Sequence, residues 1–301
     1  MMKLFAPKYY EEFSCIADKC RHSCCIGWEI DVDAETLGKY SEIRSEYANN
    51  IRDSIVDGDV PHFRLCSDGR CAHLDEKGLC RIISNVGEDA LCDICREHPR
   101  FYHTTSAGRE VGLGLCCEEA CRIILSSDEY RDFIEIGEVE GDEEIFEFDA
   151  AARRARIYYY LSDRTQPYAE RLRRVYRKYN FTIGAFTSDG WEEMLESLEL
   201  LNGEHKELFS DYSPYLDTED ELELPLERAL AYFVYRHCSS AASIDEFRTG
   251  LGFALFCERL LSSMAKNNPD VPVTELARII SEELEYSEEN CEALKTEIMF
   301  L

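Results

Sequence analysis

Cys15-Ile-Ala-Asp-Lys-Cys20-Arg-His-Ser-Cys24-Cys25 puts four thiols into eleven residues. Working outward, the thiols continue at Cys66, Cys71, Cys80, Cys92, Cys95, Cys116, Cys117 and Cys121, so twelve of the fifteen cysteines fall in the first 121 residues. Only Cys238, Cys257 and Cys291 follow. A thiol density that stops so abruptly predicts a dedicated module, and its chemistry turns on whether the sulfurs hold disulfides or metal. Disulfides need an oxidising compartment. The stretch Met1-Met-Lys-Leu-Phe-Ala-Pro-Lys lacks the apolar core of a secretion signal, and no apolar run approaches the ~18 residues of a membrane span. The expectation is a cytoplasmic chain without a membrane partner, in which clustered cysteines bind metal.

Thiolate is a soft ligand that suits zinc or iron–sulfur clusters. Cys92-x2-Cys95 has the spacing of a short metal knuckle, but no second short knuckle pairs with it, and no ferredoxin run is present. Adjacent side chains diverge, so Cys24-Cys25 is read as one ligand with the other a second ligand or a buried neighbour, and Cys116-Cys117 as a weaker pair in which Cys116 is a ligand or a core residue. Cys66, Cys92 and Cys121 are the weakest ligand candidates. His22, His62, His73, His98 and His103 lie in the same region and could complete a mixed site. A Cys–His nucleophile needs one activated thiol, not twelve. No phosphate-cradling G-x-x-x-x-G-K-S/T loop exists, and Val111-Gly-Leu-Gly-Leu lacks the third glycine of a dinucleotide fingerprint.

The formal net charge is −28. Up to residue 125 the chain has 15 Lys/Arg against 22 Asp/Glu, and beyond it 18 against 39. Such a field repels phosphates, which argues against nucleic acid and favours a basic protein partner or simple solubility. The 45% hydrophobic content supports a folded core.

The segment to about residue 125 is broken by turns, with helical pieces at Ala34–Tyr47 and Glu118–Ser126. Metal crosslinks would supply its folding energy. The acidic run Glu135-Ile-Gly-Glu-Val-Glu-Gly-Asp-Glu-Glu144 reads as a boundary loop. Beyond it Leu226, Leu230, Phe233 and Val234 share one helical face, led in by Pro225. Ser243-Ile-Asp-Glu246 is a capping box opening a helix over Phe247–Met264, and Thr274 and Ser287 are N-cap candidates. Arg171, Arg173, Arg174, Arg177 and Lys178 read as a solvated helix face paired with carboxylates, or as one wall of an anion site. No run of alternating strands stands out. The expected fold is mainly α: an irregular cysteine-rich metal-binding module over residues 1–125, then a helical domain over 150–301.

Read together, Phe13-Ser-Cys15-Ile, Cys24-Cys25-Ile-Gly-Trp-Glu-Ile-Asp-Val-Asp33, Cys71-Ala-His-Leu-Asp-Glu-Lys-Gly-Leu-Cys80, Leu91-Cys-Asp-Ile-Cys95-Arg-Glu-His-Pro-Arg100, Leu115-Cys-Cys117-Glu-Glu-Ala and Glu283-Leu-Glu-Tyr-Ser-Glu-Glu-Asn290 resemble the flagellin lysine-N-methylase family, whose members carry a CxxCxxCC-type iron–sulfur or zinc module. The resemblance implies a lysine N-methyltransferase that uses S-adenosylmethionine, contains a 4Fe-4S cluster (with zinc as the alternative), and acts on flagellin. It carries over Cys15, Cys20, Cys24, Cys25, Cys71, Cys80, Cys95 and Cys117 as metal ligands, more than one cluster takes. The Cys15–Cys20 and Cys20–Cys24 gaps are longer than in the compact motif, and Cys66, Cys92, Cys116 and Cys121 are additional. No catalytic base and no methyl-donor residues are singled out. The rival expectation is a non-catalytic iron–sulfur or zinc module that binds a partner or senses redox state.

Overall fold

The computed structural model describes residues 1–141, 147–187, 189–210, 212–213 and 219–301. The strands are β1 (Met2–Pro7), β2 (Ile30–Asp31), β3 (Ile55–Val56), β4 (His62–Phe63), β5 (Arg100–Thr105), β6 (Gly108–Leu113) and β7 (Phe133–Val139). The helices are α1 (Ala34–Glu42), α2 (Ala48–Asp53), α3 (Arg81–Asn85), α4 (Asp93–Glu97), α5 (Glu118–Ser126), α6 (Ala150–Leu161), α7 (Tyr168–Lys178), α8 (Asp189–Ser197), α9 (Asp220–Cys238), α10 (Ile244–Asn267), α11 (Val273–Ile280) and α12 (Glu288–Ile298), with a π turn at Ser281–Glu285 between the last two. The fold is mainly α, as expected. Among the described residues no helix is long and apolar enough to cross a membrane.

Two compact units form. One is Ser14–Arg100; the other joins Met1–Phe13 to Phe101–Leu301. These limits differ from the 1–125 and 150–301 division read from the sequence, and the cause is a sheet. In the larger unit the strands lie in the order β5-β6-β1-β7, with β1 parallel to β6 and antiparallel to β7. Residues 2–7 and 100–139 are thereby tied to the helices. Gly108 permits it: a Cβ there would stand 2.5 Å from the Lys3 carbonyl oxygen, and its φ of +137° suits only glycine.

The sheet corrects the expectation that no strands stand out. It also corrects the reading of Glu135–Glu144 as a boundary loop. Phe133–Val139 is β7, with Glu135 turned to solvent and paired to Lys3 at 2.6 Å. Residues 142–144 of that run lie outside the described residues.

The helical readings hold with local revisions. Leu226, Leu230, Phe233 and Val234 are all fully buried on α9, but that helix starts at Asp220 and contains Pro225 rather than beginning there. Ser243 caps α10, accepting from the Glu246 amide at 3.1 Å, while the Glu246 carboxylate accepts from the Ala242 amide. Gly250 brings α10 against the end of α9, where a Cβ would meet the His237 carbonyl oxygen at 2.1 Å. Ser287 caps α12, whereas α11 begins after Pro272, one turn position before Thr274. Of Ala34–Tyr47 only Ala34–Glu42 is helix, α1, because Ile43 is extended; Tyr47 is the N-cap of α2. Glu118–Ser126 is α5.

Arg171 departs most from the solvated face expected of its cluster. It is 1% exposed, bonds to Glu223 and Glu227, and donates to the Leu161 carbonyl oxygen, so it is an interior crosslink between α7 and α9. Arg173 and Arg174 do pair at the surface, with Glu170 and Asp163.

The Ser14–Arg100 unit is built differently. Its three-stranded sheet, β2-β4-β3, has two residues per strand, and its helices α2, α3 and α4 are five or six residues long. Isolated helices this short are unstable in water. The core holding them consists of Ile30, Val32, Tyr40, Ile51, Phe63, Cys71, Leu74, Ile82, Ala90 and Cys92.

Candidate metal centre

In that smaller unit, local turns rather than long elements deliver the thiols. Gly27 and Gly69, both at positive φ, are joined by a 2.8 Å amide-to-carbonyl bond beside the Ile26–Arg70 bridge, and the Cys71 amide donates to the Cys25 carbonyl oxygen at 2.8 Å. These bonds set Cys25 alongside Cys71. Asp75 Oδ1 accepts from the Lys77 and Leu79 amides, closing the turn that brings Cys80 back onto Leu74. Cys92 immediately precedes α4, and Cys95 lies one turn inside it.

The result is convergence. Cys25, Cys71, Cys80, Cys92 and Cys95 line one cavity of about 20 Å³, together with His73 and the apolar side chains of Ile30, Phe63, Leu74, Ile82 and Leu91. That volume is on the scale of one water molecule. Among the described residues no three His, Cys, Asp or Glu side chains stand at metal-ligating spacing, so the five sulfurs surround one cavity without forming a coordination sphere.

The electrostatics of the thiols are mutual. A bond from Cys24 pulls the Cys25 thiol down to about 7 against the effect of burial. Burial pushes Cys71 up to about 11 and raises Cys80, with Cys25 and Cys92 adding to both. Between Cys92 and Cys95 a shared hydrogen bond lowers the first and raises the second. Each thiolate formed here opposes the next, and a bound cation reverses that opposition. Thiols are the donor type that soft metals and iron–sulfur clusters take.

His73 is not free to join as a ligand. It is 2% exposed, its Nδ1 lies 2.9 Å from the Tyr47 hydroxyl, and its Nε2 lies 2.7 Å from Ser54 Oγ. Both ring nitrogens are engaged, and the ring packs edge-on against Phe63. His62 bonds to the Val60 carbonyl oxygen and Glu29, and His103 belongs to the larger unit, where it bonds to Ser240.

Of the eight cysteines carried over as ligands, Cys25, Cys71, Cys80 and Cys95 line the cavity; Cys24 bonds to Cys25 but does not line it. Cys15 is exposed, and Cys20 Sγ donates to the His22 carbonyl oxygen; neither lines the cavity. Cys117 folds with the larger unit. There Cys116 is buried and Cys121 donates to the Thr274 carbonyl oxygen, which accounts for both as interior thiols. Cys92, ranked among the weakest candidates, is fully buried and lines the cavity. Its knuckle spacing to Cys95 was the available signal.

Asp33 accepts from two backbone amides, Thr36 at 2.8 Å and Asp93 at 3.0 Å. Partial burial raises its carboxyl, but the Asp93 and Thr36 amides outweigh this and hold it at about 2.

Over 127 residues, 40% of its length, the chain is 33% identical to the Lysine-N-methylase of Salmonella typhimurium and 33% identical to that of Salmonella choleraesuis. It is 32% identical, also over 127 residues, to the Flagellar biosynthetic protein FliU of Salmonella muenchen, and this match covers 75% of that protein. The chain spans about a third of the length of the two lysine-N-methylases, 32% in each case. No protein-family model and no solved structure matches it.

Proposed function

Since the chain belongs to the flagellin lysine-N-methylase family, which includes FliU, we propose that it is a protein lysine N-methyltransferase that takes its methyl group from S-adenosylmethionine and acts on flagellin. The observation that carries the metal part of this reading is the gathering of Cys25, Cys71, Cys80, Cys92 and Cys95 around one cavity. These residues would hold a 4Fe-4S cluster or zinc; a cluster would supply one-electron chemistry and zinc a structural crosslink.

In the transfer itself the lysine Nζ bonds to the methyl carbon as the sulfonium C–S bond breaks. S-adenosylhomocysteine leaves, and the amine's proton passes to a base. The amine must be neutral to attack, which burial or a nearby cation favours. The chain's excess of carboxylates suits recruitment of a lysine-bearing surface.

The test uses anaerobically purified protein, methyl-labelled S-adenosylmethionine and flagellin. Labelled lysines, with a rate at low substrate that falls as salt rises, are the expected result. Metal-loaded protein that neither binds the methyl donor nor labels flagellin would leave a non-catalytic metal module instead. Iron and sulfide in the purified protein select the cluster; colourless protein with stoichiometric zinc selects zinc.

A further inference from the structure

Cys95 sits on α4, a helix of five residues, and Cys92 is the residue just before it. A helix so short cannot fix its own position, and its Arg96–Asp93 ion pair lies at the surface. Two bonds from α1 reach this segment. Asp33 Oδ1 caps α1 through the Thr36 amide, and capping needs only that one oxygen. Its second oxygen reaches 60 residues along the chain to the Asp93 amide, between Cys92 and Cys95. Tyr40, two turns further along α1 and 1% exposed, donates its hydroxyl to the Ala90 carbonyl oxygen at 2.8 Å. The segment carrying the knuckle is thus held at Ala90, just before it, and at Asp93, within it, by one face of α1.

We propose that Asp33 and Tyr40 are positioning residues that set Cys92 and Cys95 against Cys25, Cys71 and Cys80, and so tune metal affinity without touching the metal. The proposal rests on the metal reading above and extends it to the groups that orient the ligands.

The test is a cobalt(II) titration of the reduced, metal-free full chain, followed through the thiolate-to-cobalt charge-transfer band, with affinity taken from competition with a chelator. Asp33→Ser keeps a good N-cap for α1 but has no second oxygen for Asp93. Affinity falls ~10–100-fold in Asp33→Ser, the size of effect seen on losing a group that orients a ligand, and by a smaller factor in Tyr40→Phe. The band at saturating cobalt separates positioning from stability. A merely destabilised unit refolds around excess metal and recovers the wild-type intensity, whereas a displaced knuckle leaves fewer thiolates on the metal and a weaker band. Wild-type affinity, or wild-type intensity at saturation, in Asp33→Ser overturns the positioning role while leaving the metal reading intact. A wild-type chain that takes up no cobalt overturns the metal reading, and this inference with it.

Discussion

The two units hold cysteine in opposite ways. In the larger one, Cys121, Cys238 and Cys257 are buried among apolar side chains of α5, α9, α10 and their neighbours, and behave as small hydrophobes. In Ser14–Arg100, two of only ten core residues are cysteines, and three more thiols face the same cavity. The larger unit also affords buried ion pairs such as Arg154–Glu110 and Arg171–Glu227, because long helices surround them with apolar contacts. The smaller unit has two-residue strands and short helices and keeps its ion pairs at the surface, as with Arg96–Asp93 and Lys39–Glu35. The contrast teaches that burial alone holds one unit, while the other has too little apolar interior and gathers thiols where a crosslinking metal would supply the missing energy.

The strongest way to break this contrast is metal removal. Chelation under reducing conditions should unfold Ser14–Arg100 selectively, because binding free energy is folding free energy for such modules. Amide exchange would show lost protection there and retained protection on α9 and α10. Cys71→Ser and Cys95→Ser should act in the same direction, while Cys257→Ser costs about 1–3 kcal/mol in the larger unit and leaves metal content unchanged. Equal effects on metal content from both groups would erase the distinction.

Next in size is Arg154→Met. The guanidinium makes two bonds to Glu110, at 2.6 and 2.8 Å, and a third to Ser239, with both ion-pair side chains nearly inaccessible. Its removal strands a buried carboxylate and should cost about 3–5 kcal/mol in chemical denaturation.

Acid should weaken the larger unit before its carboxylates titrate. Burial, foremost, holds His103 down to about 3 and His237 down to about 4, below the 6.5 of an unfolded histidine. As pH falls from 6.5 to 5, the unfolded chain takes up protons that the folded unit refuses, so stability is lost. The slope is at most about 1.4 kcal/mol per pH unit for each histidine. A melting temperature of α9 and α10 that stays level over this range would show that these rings charge without penalty. The smallest effect belongs to Arg96→Ala, whose surface pair with Asp93 should contribute ~0–1 kcal/mol and leave cobalt affinity unchanged.

Helix faces were legible because they are local. The 3.6-residue spacing of Leu226, Leu230, Phe233 and Val234, the Ser243 cap and the α5 limits all depend on neighbours in the chain. The thiol-rich character of the first part and the donor class it offers were also written in the sequence. Strand pairing was not. β1 finds β6 and β7 more than a hundred residues away, and the acidic look of Phe133–Val139 disguised an edge strand with Glu135 facing water.

Which thiols meet is likewise a tertiary result. The sequence reading placed Cys92 among the weakest candidates and the family resemblance admitted Cys15, Cys20 and Cys117, but the turns at Gly27–Gly69 and Asp75–Leu79 gather Cys25, Cys71 and Cys80 at a cavity that Cys92, beside the Asp33–Asp93 bond, also lines. The pairing of β1 with β6 and β7 helps tie the segment that carries Cys117 into the other unit. Composition fixes what chemistry a chain can offer. Long-range hydrogen bonds and close backbone approach decide which side chains share a site, since sequence distance carries no information about contacts closed over 42 to 153 residues.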